Sequence, residues 1–158
     1  MTVRVRHIQL ENADQWVEMR HALWPDEGTG SHADEVRSFF DRPRVLGDMP
    51  EAVLLAFGPA GRALGFVELS RRPYAEGCET SPVGYLEGWY VIPDARRTGV
   101  GRALVEASLD WARSVGCREF ASDALVDNDV STAAHLALGF EEVEVIRTFR
   151  VSLNSDAT

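Results

Sequence analysis

The apolar positions of this chain recur with two periods, one typical of strands and one typical of helices. The predicted strands cover residues 3–10, 51–57, 63–70, 85–92 and 118–122, and the predicted helices cover 12–24, 31–42, 100–115 and 129–138. Residues 140–153 alternate again and predict a closing hairpin or a bent pair of strands. The order β-α-α-β-β-β-α-β-α-β indicates an α/β (α+β) domain with helices on both faces of a mixed sheet.

Helix caps and breakers support these boundaries. Asn12 and Gln15 have the spacing of a capping box at the start of the first helix, and Pro25 ends that helix because the residue before a proline disfavours the helical conformation. Gly116 stands where a left-handed residue commonly closes a helix. Residues 71–84 contain two prolines and two glycines and are predicted to form a long loop.

Length and composition bound the organisation of the chain. Its 158 residues, 45% of them hydrophobic, suit one domain over residues 1–153, followed by a short polar tail, 154–158, that is predicted to be disordered. The N-terminus lacks a signal-peptide pattern, and no run approaches the ~20 apolar residues that cross a bilayer. Cys78 and Cys117 are isolated and are expected to be reduced thiols. These features predict a cytoplasmic protein with no membrane partner.

Charge and histidine spacing argue against two kinds of partner. A net charge of −9 would repel nucleic acid, whose binding rests on lysines and arginines that neutralise phosphates. The same acidic excess weakly favours a cationic co-substrate. His7, His21 and His32 lack metal-ligand spacing with the cysteines or with each other, so no metal is predicted.

A basic, glycine-containing turn lies between the strand that ends near Ile92 and the helix that follows. Gly99 and Gly101 allow a close approach of the backbone to a ligand, and the helix start adds unpaired N–H donors and the positive end of its dipole. Arginines flank the turn at positions 96, 97 and 102. The nucleotide-hydrolase loop needs Lys-Ser/Thr where this chain has Arg102-Ala103, and the dinucleotide fingerprint needs three glycines. The turn therefore predicts an anion site of another kind, unless the arginines are ordinary surface residues.

The pattern R-x-x-G-x-G, carried by Arg96, Gly99 and Gly101 after a strand, resembles the acyl-CoA pyrophosphate loop of the GNAT superfamily of N-acetyltransferases. The element order and the closing Leu138-Gly139-Phe140 are similar to that superfamily as well. The resemblance implies a GNAT fold, with a mixed central sheet of about six to seven strands flanked by about four helices.

Five separated segments extend the resemblance to the aminoglycoside 6'-N-acetyltransferases. They are Leu23-Trp24-Pro25 and residues 74–83, 86–91, 119–123 and 138–144. The resemblance implies acetyl transfer from acetyl-CoA to the 6'-amino group of an aminoglycoside, hence antibiotic resistance, by an enzyme that forms a homodimer. It implies aminoglycoside contacts at Trp24, Tyr74, Glu87, Asp123 and Glu144. It implies acetyl-CoA contacts at Trp89, Tyr90, Val91, Arg96, Arg97, Thr98, Gly99, Val100, Gly101, Arg102 and Asn128.

The residue types fit this chemistry independently of the resemblance. Carboxylates attract a substrate with several ammonium groups, and the rings of Trp24 and Tyr74 add cation–π attraction. Glu87 lies in an apolar run, where either a salt bridge or a cationic ligand must compensate its charge. Other interpretations stay open: Trp24 could be a core anchor, and Asp123 could cap a following turn.

The acceptor amine must lose a proton before it attacks a thioester, since alkyl amines have a pKa of about 10.4. Glu87 or Asp123 could accept that proton, directly or through water, or could only position the amine. The resemblance further implies a splayed strand in which the N–H of Val91 polarises the thioester carbonyl, with direct attack in a ternary complex.

His135 stands four residues before Gly139, where many GNAT enzymes have a tyrosine that protonates the leaving thiolate. It could be a proton donor, a contact of coenzyme A, or a helix-face residue without a chemical role. Two rival functions also stay open. One is acetylation of another amine, such as a polyamine, an amino sugar or a peptide lysine. The other is a non-catalytic protein that binds acyl-CoA or sequesters an antibiotic.

Overall fold

Five strands in sequential order form one mixed sheet in the computed structural model, which describes residues 2–25 and 29–154. The strands are β1 (Arg4–His7), β2 (Ala52–Phe57), β3 (Ala63–Arg72), β4 (Val83–Val91) and β5 (Phe120–Ser122). The helices are α1 (Ala13–Leu23), α2 (Thr29–Phe39), α3 (Val100–Ser114) and α4 (Asp129–Ala137). Strands β1 to β4 pair in antiparallel fashion, and β5 runs parallel to β4.

Helices cover both faces of the sheet, which confirms the layered arrangement expected from the sequence. On one face Trp16 of α1 and Val36 of α2 pack with Phe66 of β3. On the other face Leu104 of α3 packs with Val67 of β3. All five side chains are almost completely buried, because the apolar stripe of each helix can be removed from water only against the sheet.

The predicted loop over 71–84 is too long by several residues, because β3 extends to Arg72 and β4 begins at Val83. The two arginines that end β3 fall inside the predicted loop, but each has a carboxylate partner. Arg71 pairs with Glu51, and Arg72 pairs with Glu87. Paired charges remain compatible with strand pairing, so the connection shrinks to residues 73–82.

The closing strands predicted over 140–153 are wrong for this single chain, whose described residues form five strands and not six or seven. The segment has no regular secondary structure, and Val145, Phe149 and Val151 are more than half exposed. Alternation predicts a strand only where a neighbouring strand pairs with it, and none of the five described strands pairs with this segment. Of the tail predicted to be disordered, residues 155–158 lie outside the described residues.

Candidate functional site

A gap opens along one edge of β4 where its parallel partner leaves. The pairing of β4 with β5 ends at Leu86 and Ser122, whereas β4 continues to Val91. On the opposite edge, the N–H of Ile92 donates to the carbonyl of Leu64 at 2.9 Å. Because successive backbone N–H groups of a strand point to opposite edges, the N–H of Val91 points into the gap. This geometry is the one required of a donor to a thioester carbonyl.

A β-bulge at Glu87 determines which side chains face each layer. Leu69 pairs with Leu86 and Glu68 pairs with Gly88, so Glu87 is an extra residue on β4. The bulge reverses the alternation, as two glycines show. A Cβ on Gly84 would lie 2.9 Å from Ala112 of α3, whereas a Cβ on Gly88 would lie 2.7 Å from Trp24, at the end of α1. Without the bulge, both positions would face the same layer.

The basic turn after β4 has the backbone of an anion site. Arg97 and Gly99 adopt left-handed conformations, with φ of 62° and 94°. Left-handed residues between other conformations turn successive N–H groups toward a common concave side, and α3 begins directly afterwards at Val100. The arginine side chains are exposed, and Arg96 donates from Nε to the carbonyl of Val91 at 2.8 Å. These features fit a diphosphate group.

Trp89 lies between this turn and the gap. A Cβ on Gly101 would meet its ring at 3.3 Å, so the glycine lets the first turn of α3 approach the indole. The ring of His135 lies edge-on to it, with centroids 5.3 Å apart. The Nε1 of Trp89 is buried and has no hydrogen-bond partner among the described residues. An unsatisfied buried donor beside an anion turn fits the polar chain of an extended ligand such as acetyl-CoA.

On the other side of the sheet, Trp24 lies against the backbone of β4 at Gly88. Its ring stacks on His32, with centroids 6.4 Å apart and an interplanar angle of 16°. His32 also contacts the carbonyl of Trp24 through Nε2 at 3.0 Å. Trp24 is half-buried, so one part of the indole anchors the helix end and the rest remains accessible.

A buried ionic network of Arg20, Glu68 and His32 contacts Trp24 through the His32 ring. Arg20 donates through Nη1 to both oxygens of Glu68, at 2.7 and 2.8 Å, and through Nε to Nδ1 of His32 at 3.1 Å. Trp16 adds a bond from Nε1 to Glu68 at 3.2 Å, and Glu35 pairs with the remaining Nη2 of Arg20. Burial raises the pKa of Glu68 to about 7, although Arg20 opposes the shift. Sequence reasoning missed this network, because its charged members come from separate elements.

The predicted carboxylates Glu87 and Asp123 have partners that the sequence reasoning missed. Arg72 binds both oxygens of Glu87 at distances of 2.5 to 3.0 Å. Its guanidinium carbon lies 3.5 Å from the centroid of the Tyr85 ring, and the Tyr85 hydroxyl donates to Asp123 at 2.5 Å. Burial and this bond to Asp123 raise the pKa of Tyr85, so the phenol remains a donor. The two carboxylates therefore belong to one cluster.

Tyr74 lies in the loop 73–82 and is 65% exposed. Glu119 holds the other half of this loop by accepting the N–H groups of Glu79 and Thr80, at 2.8 and 2.7 Å. The bonds with Thr80 and Glu79 keep the pKa of Glu119 below its usual range. Residues 140–153 pass the same loop, since a Cβ on Gly77 would lie 2.6 Å from the Val143 side chain. Glu144 follows directly, so the structure brings that segment and the Tyr74 loop together.

The hydrogen bonds of His135 define which ring nitrogen carries the proton in the neutral form. Its Nδ1 lies 2.7 Å from the carbonyl oxygen of Ser131, which can only accept, so Nδ1 carries a proton. In the neutral ring Nε2 then accepts from the hydroxyl of Ser122, at 2.8 Å. A neutral His135 has no proton to give at Nε2, and an imidazolium would donate to Ser122.

Asn128, which is predicted to contact acetyl-CoA, has a structural role in the fold. Its Oδ1 accepts the N–H of Ser131 at 3.0 Å and so caps α4, while Asp123 does not cap that helix. Across residues 2–25 and 29–154 no group of three or more His, Cys, Asp and Glu side chains could hold a metal ion. In the same ranges, no helix combines the length and the apolar character that a membrane crossing requires.

The known proteins to which this chain is similar are all acetyltransferases in the comparisons that follow. The acetyltransferase (GNAT) family matches residues 16–140. An aminoglycoside N(6')-acetyltransferase type 1 from Klebsiella aerogenes is 50% identical over 149 residues, 94% of this chain and 96% of that protein. A protein of the same name from Stenotrophomonas maltophilia is 42% identical over 154 residues, 97% of this chain and 95% of that protein.

Two solved structures share the whole architecture. AAC(6')-Iy in complex with the bisubstrate analogue CoA-S-monomethyl-acetylneamine has a TM-score of 0.86 at 33% identity, covering 96% of this chain and 99% of that one. AAC(6')-Ih from Acinetobacter baumannii has a TM-score of 0.85 at 35% identity, covering 97% of this chain and 100% of that one. These similarities confirm the resemblance and the fold that the sequence motifs indicated.

Proposed function

This chain belongs to the acetyltransferase (GNAT) family, and we propose that it is an acetyl-CoA-dependent aminoglycoside 6'-N-acetyltransferase. The observation that carries the proposal is the gap beside β4. It has a free backbone donor at Val91 and an anion turn at one end, and a cluster of carboxylates at the other. The first half fits the thioester and diphosphate of acetyl-CoA, and the second half fits a polycationic amine.

The reaction that we propose is direct attack in a ternary complex. The 6'-amine nitrogen forms a bond to the acetyl carbon, the N–H of Val91 stabilises the developing oxyanion, and the carbon–sulfur bond then breaks to release the thiolate of coenzyme A. The amine gives up its proton to Glu87 or Asp123, directly or through water. No covalent enzyme intermediate is needed, since the pKa values of Cys78 and Cys117 are raised, mainly by burial, which favours the unreactive thiol.

We assign the remaining residues to the two halves of the site. Trp24, Tyr74, Asp123 and Glu144 contact the aminoglycoside together with Glu87, and the support is the position of Trp24 on Gly88 and the approach of residues 140–153 to the Tyr74 loop. The acetyl-CoA half comprises Trp89, Tyr90, Val91, residues 96–102, Asn128 and His135. All of it lies within one domain, residues 1–153, whose single sheet supports both halves.

We also propose a homodimer in the cytoplasm. Apolar side chains of residues 140–153 are exposed in alternation, and a second copy that supplied a sheet edge would bury them. Light scattering on the purified protein measures whether its mass is that of a dimer, with a chain shortened after Phe140 as the monomeric control.

The proposed cytoplasmic location is supported by the free thiols of both cysteines.

Release of coenzyme A thiol tests the activity. The acceptors are kanamycin, an analogue with a 6'-hydroxyl in place of the 6'-amine, and spermidine. Turnover of kanamycin alone is the expected result, because only kanamycin offers the 6'-amine. Turnover of spermidine alone would instead favour polyamine acetylation. No thiol release with any of the three acceptors, despite binding of acetyl-CoA, would contradict the proposed function.

A further inference from the structure

The acceptor half of the site already contains a cation that belongs to the chain. Arg72 is the last residue of β3, and its guanidinium binds both oxygens of Glu87 and covers the ring of Tyr85. Burial lowers the pKa of Arg72, but its bonds to Glu87 and the charges of Glu87 and Asp123 raise it overall. The guanidinium therefore lies in the field of both carboxylates.

A guanidinium and an alkyl ammonium present the same chemistry to a carboxylate, namely a positive charge and N–H donors. With Arg72 in place, the formal charge of Glu87, Asp123 and Arg72 together is −1. If Arg72 moved away, the two carboxylates alone would present −2 to a substrate. The cluster is thus partly neutralised in the free protein, at the point where a polycation has to bind.

We propose that Arg72 is a specificity-determining residue that competes with the ammonium groups of the acceptor for Glu87. The proposal rests on the function proposed above. Arg72 is the more exposed partner of the pair, since 35% of its side chain is exposed whereas 10% of the Glu87 side chain is. Its long side chain can turn to solvent, while Glu87 is the extra residue of the bulge in β4 and has a mostly buried side chain.

Competition of this kind discriminates between acceptors by their charge. An acceptor with one amine must use that amine as the nucleophile and so has no second cation to displace Arg72. An acceptor with several ammonium groups can place one on Glu87 while another reacts. Arg72 therefore weakens the binding of acceptors that place an ammonium group on Glu87, and it has little effect on a singly charged amine that does not reach Glu87.

The neighbouring arginine provides a matched control. Arg71 also binds a carboxylate through two nitrogens, with distances to Glu51 of 2.5 to 2.9 Å. It faces the opposite side of the sheet, because adjacent strand residues alternate, and it also donates to the carbonyl of Val115 after α3. Arg71→Gln removes the same charge and the same type of ion pair at a distance from the acceptor cluster.

Calorimetric titration of kanamycin into the protein saturated with coenzyme A tests the proposal. Arg72→Gln is expected to bind kanamycin about tenfold more tightly than the original protein, with a steeper loss of affinity as salt rises. Arg71→Gln is expected to match the original protein. Arg72→Lys keeps the positive charge but loses the bidentate geometry of the guanidinium. Its affinity for kanamycin is expected to stay within about threefold of the original protein.

Equal or weaker binding of kanamycin by a folded Arg72→Gln protein would overturn the proposal and make Arg72 a residue that only orients Glu87. If Arg72→Gln unfolds, the Arg72→Lys variant tests the proposal instead. A clear loss of kanamycin affinity in that variant would likewise overturn the proposal and make Arg72 a residue that only orients Glu87. Thiol release by the original protein tests the proposed function separately. If only spermidine is turned over there, spermidine replaces kanamycin in the titrations with the same expected pattern.

Discussion

Gly88→Ala should weaken acceptor binding by displacing Trp24, without any change to a side chain that contacts substrate. The added Cβ would lie 2.7 Å from Cη2 and 3.0 Å from Cζ2 of the indole. Ordinary van der Waals contact begins at 3.4 Å, so the ring has to retreat by about 0.7 Å. The retreat is restricted because His32 stacks on the ring and Arg20 holds His32.

The size of the effect follows from this confinement. Inserting a methyl group into a packed site costs about 1–3 kcal/mol when the neighbours cannot relax, and the network behind Trp24 is buried. A displacement approaching 1 Å in a wall that positions the substrate reduces rates by up to about 100-fold. We therefore expect KM for kanamycin to rise about tenfold, with the affinity for acetyl-CoA unchanged, since Trp89 and the anion turn lie on the other face.

Gly84→Ala is the matched control, because it introduces the same methyl group on the same strand. Its Cβ would lie 2.8 Å from Phe120 and 2.9 Å from Ala112, so a similar loss of stability is expected. Steady-state kinetics and urea unfolding of both variants separate the two effects. Trp24→Phe in the Gly88→Ala background removes both clashing indole atoms and should restore stability, which a double-mutant cycle would detect as coupling. If Gly88→Ala raises the KM for kanamycin no more than Gly84→Ala does, Trp24 is not part of the acceptor wall.

Of three further predictions, two concern single hydrogen bonds and one concerns the titration of Glu68. Tyr85→Phe should lower kcat with kanamycin several-fold while leaving acetyl-CoA affinity unchanged, because Asp123 loses the donor that orients it; an unchanged kcat would refute this role. Ser122→Ala should lower kcat less than about threefold, since the Nδ1 proton of His135 is bound by the Ser131 carbonyl and the Ser122 hydroxyl contacts only Nε2; a larger loss in steady-state kinetics with kanamycin would contradict this. Glu68 has a folded pKa of about 7, above the ordinary value of 4.5, so its contribution to stability is complete below pH 4.5 and is lost as pH rises through 7. Urea unfolding between these values should show a fall in stability that Glu68→Gln makes shallower, and parallel curves would contradict it.

Much of the fold was predictable because it depends on local periodicity. The helix with apolar residues at Leu104 and Trp111 begins and ends within about one residue of its predicted bounds, since its glycines act locally. The anion turn was predictable for the same reason, because strand, glycines and helix are contiguous. The segment 140–153 was not, since an alternating sequence becomes a strand only beside a partner, and the partner is not encoded in the segment.

The candidate site was predictable in its residue types and not in its pairings. An apolar run around Glu87 indicated a compensated charge, and the ion pair with Arg72 confirms the salt bridge, one of the two open interpretations. The cationic ligand stays a prediction. Its partner Arg72 looked like a loop residue, because the sequence does not reveal that β3 continues. The Tyr85 bond to Asp123 joins β4 to the end of β5, a long-range contact with no local signal.

The bulge at Glu87 explains why the two halves of the site occur together. Leu86 and the residues before it follow one alternation, and Trp89 and Val91 follow the opposite one. In a regular strand the N–H of Val91 would point toward β3, Trp89 would leave the α3 layer, and Gly88 would not face Trp24. One extra residue therefore directs the N–H of Val91, the proposed oxyanion donor, into the gap and brings the backbone at Gly88 against Trp24, the proposed acceptor wall. The same residue is the carboxylate that Arg72 holds, so removing it would disturb acetyl-CoA and acceptor binding at once, whereas Glu87→Gln preserves the bulge and should affect the acceptor half alone.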